Sequence, residues 1–91
     1  MTIRIGSHEF DNVSYDAKGD VLYLHQGDPV AAHETFGTPE GHAVKFDAAG
    51  KVIGLTLVNA KWLVERDGQI TISIPERIET SASELAPALA S

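Results

Sequence analysis

Apolar side chains at every second position are the feature that most constrains the fold of this chain. They occur in short runs such as Val21–His25 and Val52–Val58, and Gly, Asp and Pro separate the runs. A period of two matches the alternation of side chains across a sheet, and short runs between turn residues are typical of hairpins. The sequence therefore predicts a mainly β fold, an antiparallel hairpin and meander sheet with a short C-terminal helix.

The alternating runs place strands along most of the chain. We predict strands near Ile3–Ile5, Phe10–Tyr15, Val21–His25, Ala43–Asp47, Val52–Val58, Lys61–Glu65 and Gln69–Ile74. A further short edge strand around Ala31–Glu34 is an alternative. A chain of 91 residues supports one domain, with antiparallel strands over residues 10–75 and a helical tail over residues 81–90.

Two predicted turns are similar in sequence, Tyr15-Asp-Ala-Lys-Gly-Asp-Val21 and Phe46-Asp-Ala-Ala-Gly-Lys-Val52. In each, the Asp side chain can accept a backbone amide hydrogen two residues on, and the Gly supplies a positive φ. Asp16 and Asp47 are therefore predicted to form turns, rather than a calcium or acid–base cluster with Asp20. An internal duplication and shared turn chemistry both remain open as explanations of the similarity.

A further hairpin is predicted over residues 61–74. A three-residue loop that ends at Gly68 places Trp62 opposite Ile72 on an apolar face and leaves Leu63 on the polar face. A two-residue turn would mix the two faces, because a slip of one residue reverses every side chain. We therefore prefer the longer, bulged loop.

Helix-forming residues dominate positions 81–90. Ser81 and Glu84 fit a capping box, but a helix that begins there has Pro87 in its interior, where proline removes a hydrogen bond. A start at Ser83 is preferred for this reason. Such a short helix is not stable alone in water, so it must dock on its own sheet or on that of a neighbour.

Composition and charge exclude several classes of function. The chain has 7 Lys and Arg against 13 Asp and Glu, a net charge of −6 that repels nucleic acid. The lack of cysteine excludes disulfides and thiolate sites, and no apolar run is long enough to span a membrane. A cytoplasmic protein without a leader is expected. Ser7-His8-Glu9 has the residue types of a triad, but neighbouring side chains point apart, so no catalytic residue, cofactor or enzymatic activity is predicted.

Three histidines, His25, His33 and His42, are candidate ligands for a transition metal, together with acids such as Glu40. Pairing of the strand that ends at His25 with the alternative strand around Ala31–Glu34 would bring His25 close to His33. The spacing matches no zinc signature, however. The favoured interpretation is therefore that they are exposed or edge histidines at loop ends, with no metal.

The segment His33–His42 has no clear periodicity, and loops on a sheet often carry binding residues. Phe36 is its only aromatic side chain. This ring either caps the end of the core or lines a site for a small ligand or a partner.

Gly54 interrupts the most apolar strand, and Tyr23 is the predicted side chain that lies across it. Both faces of that strand are partly apolar, although a single-layer sheet needs only one apolar face. The surplus favours an interface between subunits. The candidate interface residues are Trp62, Leu63, Val58, Leu85 and Leu89.

Two blocks occur in the order Tyr15-Asp16…Asp20-Val-Leu-Tyr-Leu24 and Phe46-Asp47…Gly50-Lys-Val-Ile-Gly-Leu-Thr-Leu57. They resemble the hallmark of a small bacterial domain-of-unknown-function family, DUF twenty-two eighty-three, from about Val13 to Ala60. The rest of the chain resembles longer actinobacterial members, and the chain departs at Thr56, where the family often carries Glu. The resemblance implies a compact β-rich domain without an established activity or transferable catalytic residues. Some members look like neighbours of toxin–antitoxin components.

The leading interpretation is a non-enzymatic interaction module that forms a homodimer or binds a protein partner. A second interpretation is a small-ligand or metal-binding protein that uses the loop region 25–42. A third, which the family resemblance alone implies, is an accessory partner in a toxin–antitoxin-type system.

Overall fold

Nine strands and two helices form the part of the chain that our computed structural model describes, residues 2–27, 34–73 and 77–89. They are β1 (Ile3–Ile5), β2 (His8–Phe10), β3 (Asn12–Asp16), β4 (Val21–His25), β5 (Glu34–Gly37), β6 (Ala43–Phe46), β7 (Val52–Val58), α1 (Ala60–Asp67), β8 (Gln69–Ser73), β9 (Arg77–Ser81) and α2 (Ala82–Leu89). Every strand pair is antiparallel. The prediction of a mainly β, antiparallel fold with a short C-terminal helix is confirmed.

Five strands form the main sheet in the order β3-β4-β7-β6-β5, and the pairs β1–β2 and β8–β9 form two-stranded ribbons. At the centre of the main sheet, Leu22 lies opposite Leu57 and Leu24 lies opposite Leu55. Because side chains alternate along a strand, these four leucines share one face.

The core lies against this leucine face. One cluster of buried side chains joins it to both ribbons and both helices through residues that include Ile5, Phe10, Ala60, Ile72 and Leu85. Burial of each large apolar side chain contributes about 1.5–3 kcal/mol. The opposite face of the main sheet, called the open face below, has Val21, Tyr23, Thr56 and Val58 at its centre and Ala43 beside them.

The predicted bounds of Ile3–Ile5, Val21–His25 and Val52–Val58 are confirmed. The predicted strand Phe10–Tyr15 is instead two strands, because the chain bends at Asp11 and continues as β3 in another sheet. The ribbon β1–β2 and the main sheet therefore share a core without sharing hydrogen bonds between strands.

The predicted strand Lys61–Glu65 is wrong, because this segment lies in helix α1. Its buried residues, Ala60 and Val64, are four positions apart and face the core from one side of the helix. Gly68 has the expected left-handed backbone, with a φ of 77°, but it ends α1 instead of forming a bulged turn. Strand β8 consequently pairs with β9 and not with residues 61–65.

Helix α2 begins at Ala82, so the preferred start at Ser83 is wrong. The Ser81 amide donates to Glu84 Oε1 at 3.0 Å, and the Glu84 amide donates to Ser81 Oγ at 3.3 Å. This capping box satisfies two amides at the first turn, and the helix retains Pro87 in its interior. Neither helix in the described ranges is long and apolar enough to cross a bilayer.

Candidate functional site

The aspartates of the two similar turns bind their own backbone. Asp16 Oδ1 accepts two amide hydrogens of its turn at 3.1 and 3.3 Å, and Asp47 Oδ1 accepts two at 2.9 Å. The predicted turn-forming role is confirmed. The positive φ falls on Gly50 in the second turn, at 81°, but in the first turn it falls on Asp20, at 54°, and not on Gly19.

Asp20 caps helix α1 from a distant part of the chain. Its Oδ1 accepts the Lys61 amide hydrogen at 2.8 Å, and its Oδ2 accepts the Trp62 amide hydrogen at 3.1 Å. The Tyr15 hydroxyl donates to Oδ1 at 2.7 Å. The local N-cap residue, Asn59, makes no side-chain cap bond, so Asp20 supplies the acceptor that the helix start needs.

The protonation of this pair is fixed at neutral pH. Burial raises the pKa of Asp20, but hydrogen bonds from the Lys61 amide, the Tyr15 hydroxyl and the Trp62 amide outweigh it and lower the pKa below 3.8. Burial and the Asp20 carboxylate raise the pKa of Tyr15 to about 12. The tyrosine stays a donor and the aspartate an acceptor, so both residues stabilise the start of helix α1.

A polar cleft with a volume of about 430 Å³ lies where the β5–β6 turn meets α1 and β8. The turn contributes Glu40 and His42, and α1 contributes Leu63, Arg66 and Asp67. The remaining wall consists of three residues of β8, namely Gln69, Ile70 and Thr71. A turn, a helix and a strand therefore bring carboxylate, imidazole, guanidinium, amide and hydroxyl groups to one place.

Glu40 is anchored across the cleft by β8. The Ser73 amide donates to Oε1 at 2.9 Å, and the Ser73 hydroxyl donates to Oε2 at 2.6 Å. The hydroxyl and then the amide of Ser73 lower the pKa of Glu40 to about 2. The side chain is therefore a carboxylate at any pH near neutrality.

His42 is the most buried ionisable group of the polar cleft, with 3% of its surface exposed. Its Nδ1 accepts the Val58 amide hydrogen at 3.1 Å, so the neutral ring carries its proton on Nε2. Burial lowers the pKa of His42, against a smaller opposing effect of the Glu40 carboxylate. The ring is thus a neutral donor at pH 7.

Arg66 is already paired within α1. Its Nε donates to Asp67 Oδ1 at 3.0 Å and its Nη2 to Asp67 Oδ2 at 2.8 Å. The guanidinium also lies over the Trp62 ring, 4.4 Å from the centroid. Arg66 and Asp67 were not predicted as cleft residues, because the sequence pattern favoured a hairpin loop at these positions. The four-residue spacing of Ala60 and Val64 was the available signal of a helix.

Acidification below pH 6.5 is expected to destabilise the protein through His42. The folded-state pKa of His42 lies below its ordinary value of 6.5, so on acidification the unfolded chain takes up the proton first and the free energy of unfolding falls. Urea denaturation at pH 7.5 and 5.5 measures this fall. The variant His42→Gln should lose most of it, whereas His8→Gln, in the β1–β2 ribbon, should keep it. Equal stability of the wild type at both pH values would contradict the assignment.

The side chain next to Gly54 is that of His25. The prediction that Tyr23 lies across Gly54 is therefore wrong. His25 lies directly opposite Gly54, and a Cβ at Gly54 would be 3.1 Å from the His25 Cδ2 atom. Tyr23 lies two residues away along β4, opposite Thr56. The His25 Nδ1 bonds to the Gln26 carbonyl oxygen at 2.9 Å.

The structure separates two of the three candidate metal ligands. His25 lies opposite Gly54, whereas His42 contacts Val58, four residues along the same strand and about 13 Å away. His33 lies outside the described residues. Within the described ranges, no group of three or more His, Asp or Glu side chains is arranged to hold a metal ion.

Phe36 lies on an edge strand and not in an irregular loop. Residues 34–37 form β5, which pairs with β6 and not with β4, and Phe36 lies opposite Val44. The ring is 46% exposed, so it does not close the end of the core. The alternative strand at Ala31–Glu34 lies outside the described residues except for Glu34.

The candidate interface residues divide by exposure. Trp62 is 53% exposed on α1, and Val58 is 37% exposed on the open face. Leu63 and Leu89 are half-buried against the core. Leu85 is fully buried in the core of its own chain, so it is not available to a partner and its assignment to an interface is wrong.

The fold and these sites define a small antiparallel β protein with an open sheet face and a polar cleft. No protein-family model matches the chain, and no curated protein or solved structure is detectably similar to it. The resemblance to the family DUF twenty-two eighty-three therefore stays a prediction.

Proposed function

We propose that this protein is a non-enzymatic cytoplasmic interaction module that pairs with a second copy of itself through the open face. The observation that carries the proposal is the exposure of Tyr23 and Val58, at 46% and 37%, on β4 and on the central strand β7 of the sheet. Scattered exposed apolar residues are common, but a contiguous patch on central strands is typical of an interaction surface. The cysteine-free sequence supports the cytoplasmic location.

The patch is contiguous because of the strand register. Val21 lies opposite Val58, and Tyr23 lies opposite Thr56, which in turn lies opposite Ala43. Side chains directly opposite each other on one face are close enough to pack together. A partner would therefore bury one continuous surface that crosses β4, β7 and β6.

Charge supports a second copy as the partner. The chain has a net charge of −6, so two copies repel each other in most orientations. On the open face, the strands carry one Asp and one Lys, Asp16 and Lys45, whose charges cancel. Like-charge repulsion is therefore weakest when two copies meet through this face.

Replacement of Tyr23 by glutamate is expected to abolish self-association, because a symmetric pair would bring two unpaired carboxylates into one apolar interface. Sedimentation of the wild type should approach twice the 9.7 kDa of one chain as the concentration rises. The variant should remain at the mass of one chain throughout.

Trp62→Glu is the matched control, since it changes an aromatic residue of similar exposure that lies on α1 and not on the open face. This variant should associate like the wild type. A wild type that remains monomeric at about 1 mM, or a Tyr23→Glu variant that still associates, would contradict the proposal.

A further inference from the structure

The polar cleft has the size and composition of a small-molecule site. Its volume of about 430 Å³ falls in the range of roughly 300–1,000 Å³ that such sites occupy. Leu63 and Ile70 supply apolar surface, and polar groups from the β5–β6 turn, α1 and β8 surround them. This site is distinct from the open face and does not depend on self-association.

The charge of the polar cleft favours a cation. Arg66 and Asp67 neutralise each other through two hydrogen bonds, so the remaining charge is that of Glu40. Ser73 donates one hydrogen bond to each oxygen of Glu40, and the Thr38 side chain and the Glu40 amide also bond to this carboxylate, so its negative charge is held in place at the cleft. The carbonyl end of α1, which carries partial negative charge, also lies in the lining.

His42 adds a requirement for an acceptor atom on the ligand. Its Nδ1 is occupied by the Val58 amide, so Nε2–H is the donor that the neutral ring can offer. A hydroxyl or carbonyl oxygen is the complementary group.

We propose that the polar cleft binds a small organic cation, namely a primary ammonium compound that also carries a hydroxyl or carbonyl oxygen. The ammonium group pairs with the Glu40 carboxylate, and the oxygen accepts from His42. The Leu63 and Ile70 side chains contact the carbon atoms of the ligand.

Glycinamide is a minimal probe of this class, and acetamide and methylamine each lack one of its two groups. Amide chemical shifts of ¹⁵N-labelled full-length protein, titrated with each compound, report binding. We expect glycinamide to bind with a Kd of roughly 1–10 mM and to shift the amides of Glu40, His42 and Gln69. Acetamide and methylamine should each bind about tenfold more weakly or not at all.

Three variants distinguish binding in the cleft from a general attraction of cations to an acidic protein. Glu40→Gln should weaken glycinamide binding by about tenfold. Glu65→Gln removes the same charge from α1 outside the cleft lining and should change binding by less than about twofold. Thr71→Phe fills the cleft without changing the Glu40–Ser73 contact and should also block binding.

The proposal is overturned by any of three results. These are the absence of shifts at about 100 mM glycinamide, equal binding of acetamide, and unchanged binding by Glu40→Gln or Thr71→Phe variants that retain the wild-type spectrum elsewhere. Because the monomer contains the whole cleft, a failure of self-association leaves this test unaffected.

Discussion

Replacement of Asp20 by alanine is expected to lower the free energy of unfolding by about 2–4 kcal/mol, as measured by urea denaturation at pH 7. The substitution removes the acceptor of the Lys61 and Trp62 amides and of the Tyr15 hydroxyl. It also places alanine at a φ of 54°, a conformation that asparagine and aspartate tolerate better.

Asp20→Asn is the matched control, because asparagine also tolerates the left-handed backbone conformation and keeps one acceptor oxygen. The free energy of unfolding should fall less for Asp20→Asn than for Asp20→Ala. A change of less than about 0.5 kcal/mol in the alanine variant would show that the cap does not hold α1.

The same carboxylate gives the Asp20 effect a defined pH dependence. The pKa of Asp20 is lower in the folded protein than its ordinary value of 3.8, so its contribution is present above that pH and is lost as the pH falls through the folded value. The difference in stability between wild type and Asp20→Asn should therefore shrink below about pH 4.

Leu85→Ala is expected to lower the free energy of unfolding by about 2–5 kcal/mol, because it leaves a cavity in the core. Leu85 has 0% exposure in the cluster that joins α2 to the rest of the chain. Denaturation of the monomer, studied in the Tyr23→Glu background, isolates this effect from self-association.

Leu89 is half-buried on the same helix, so Leu89→Ala should lower the free energy of unfolding less than Leu85→Ala does. An unchanged free energy of unfolding of the Leu85→Ala monomer would contradict the packing of α2 in the core of its own chain.

The main sheet could be predicted from the sequence because its strands depend on local patterns. β4 and β7 are short apolar runs with leucines at alternate positions, and the turns before β4 and β7 contain Asp16 and Asp47 with their own backbone partners. The apolar pattern and the turn residues of each strand lie within a few positions of each other. They therefore predict a strand without knowledge of the tertiary contacts.

Helix α1 could not be predicted in the same way, because its start depends on a residue far away. Asp20 is 41 positions from Lys61, and the local cap residue, Asn59, has no side-chain bond. Trp62 and Val64 also alternate as a strand would. Short apolar segments of this kind remain ambiguous until tertiary contacts decide between helix and strand.

The polar cleft could be predicted only in part. Glu40 and His42 were recognisable as residues with possible chemistry, but their partners, Ser73 and Val58, are 33 and 16 positions away. Likewise, Tyr23 was predicted beside Gly54, but His25 lies there. The register between β4 and β7 decides this, and no local sequence pattern specifies that register.

The cap on α1 makes the β3–β4 turn unusual among surface turns. Turns of this kind commonly accept inserted residues, since their length affects only the two strands that they join. Here the turn delivers a carboxylate to a helix 41 residues further along, and the Asp20 carbonyl also accepts the Ala60 amide hydrogen at 3.1 Å. A peptide tag or a new chain terminus placed between β3 and β4 would therefore destabilise the start of helix α1. The β6–β7 turn is the better place for such engineering, because among the described residues its aspartate accepts hydrogen bonds from its own turn alone.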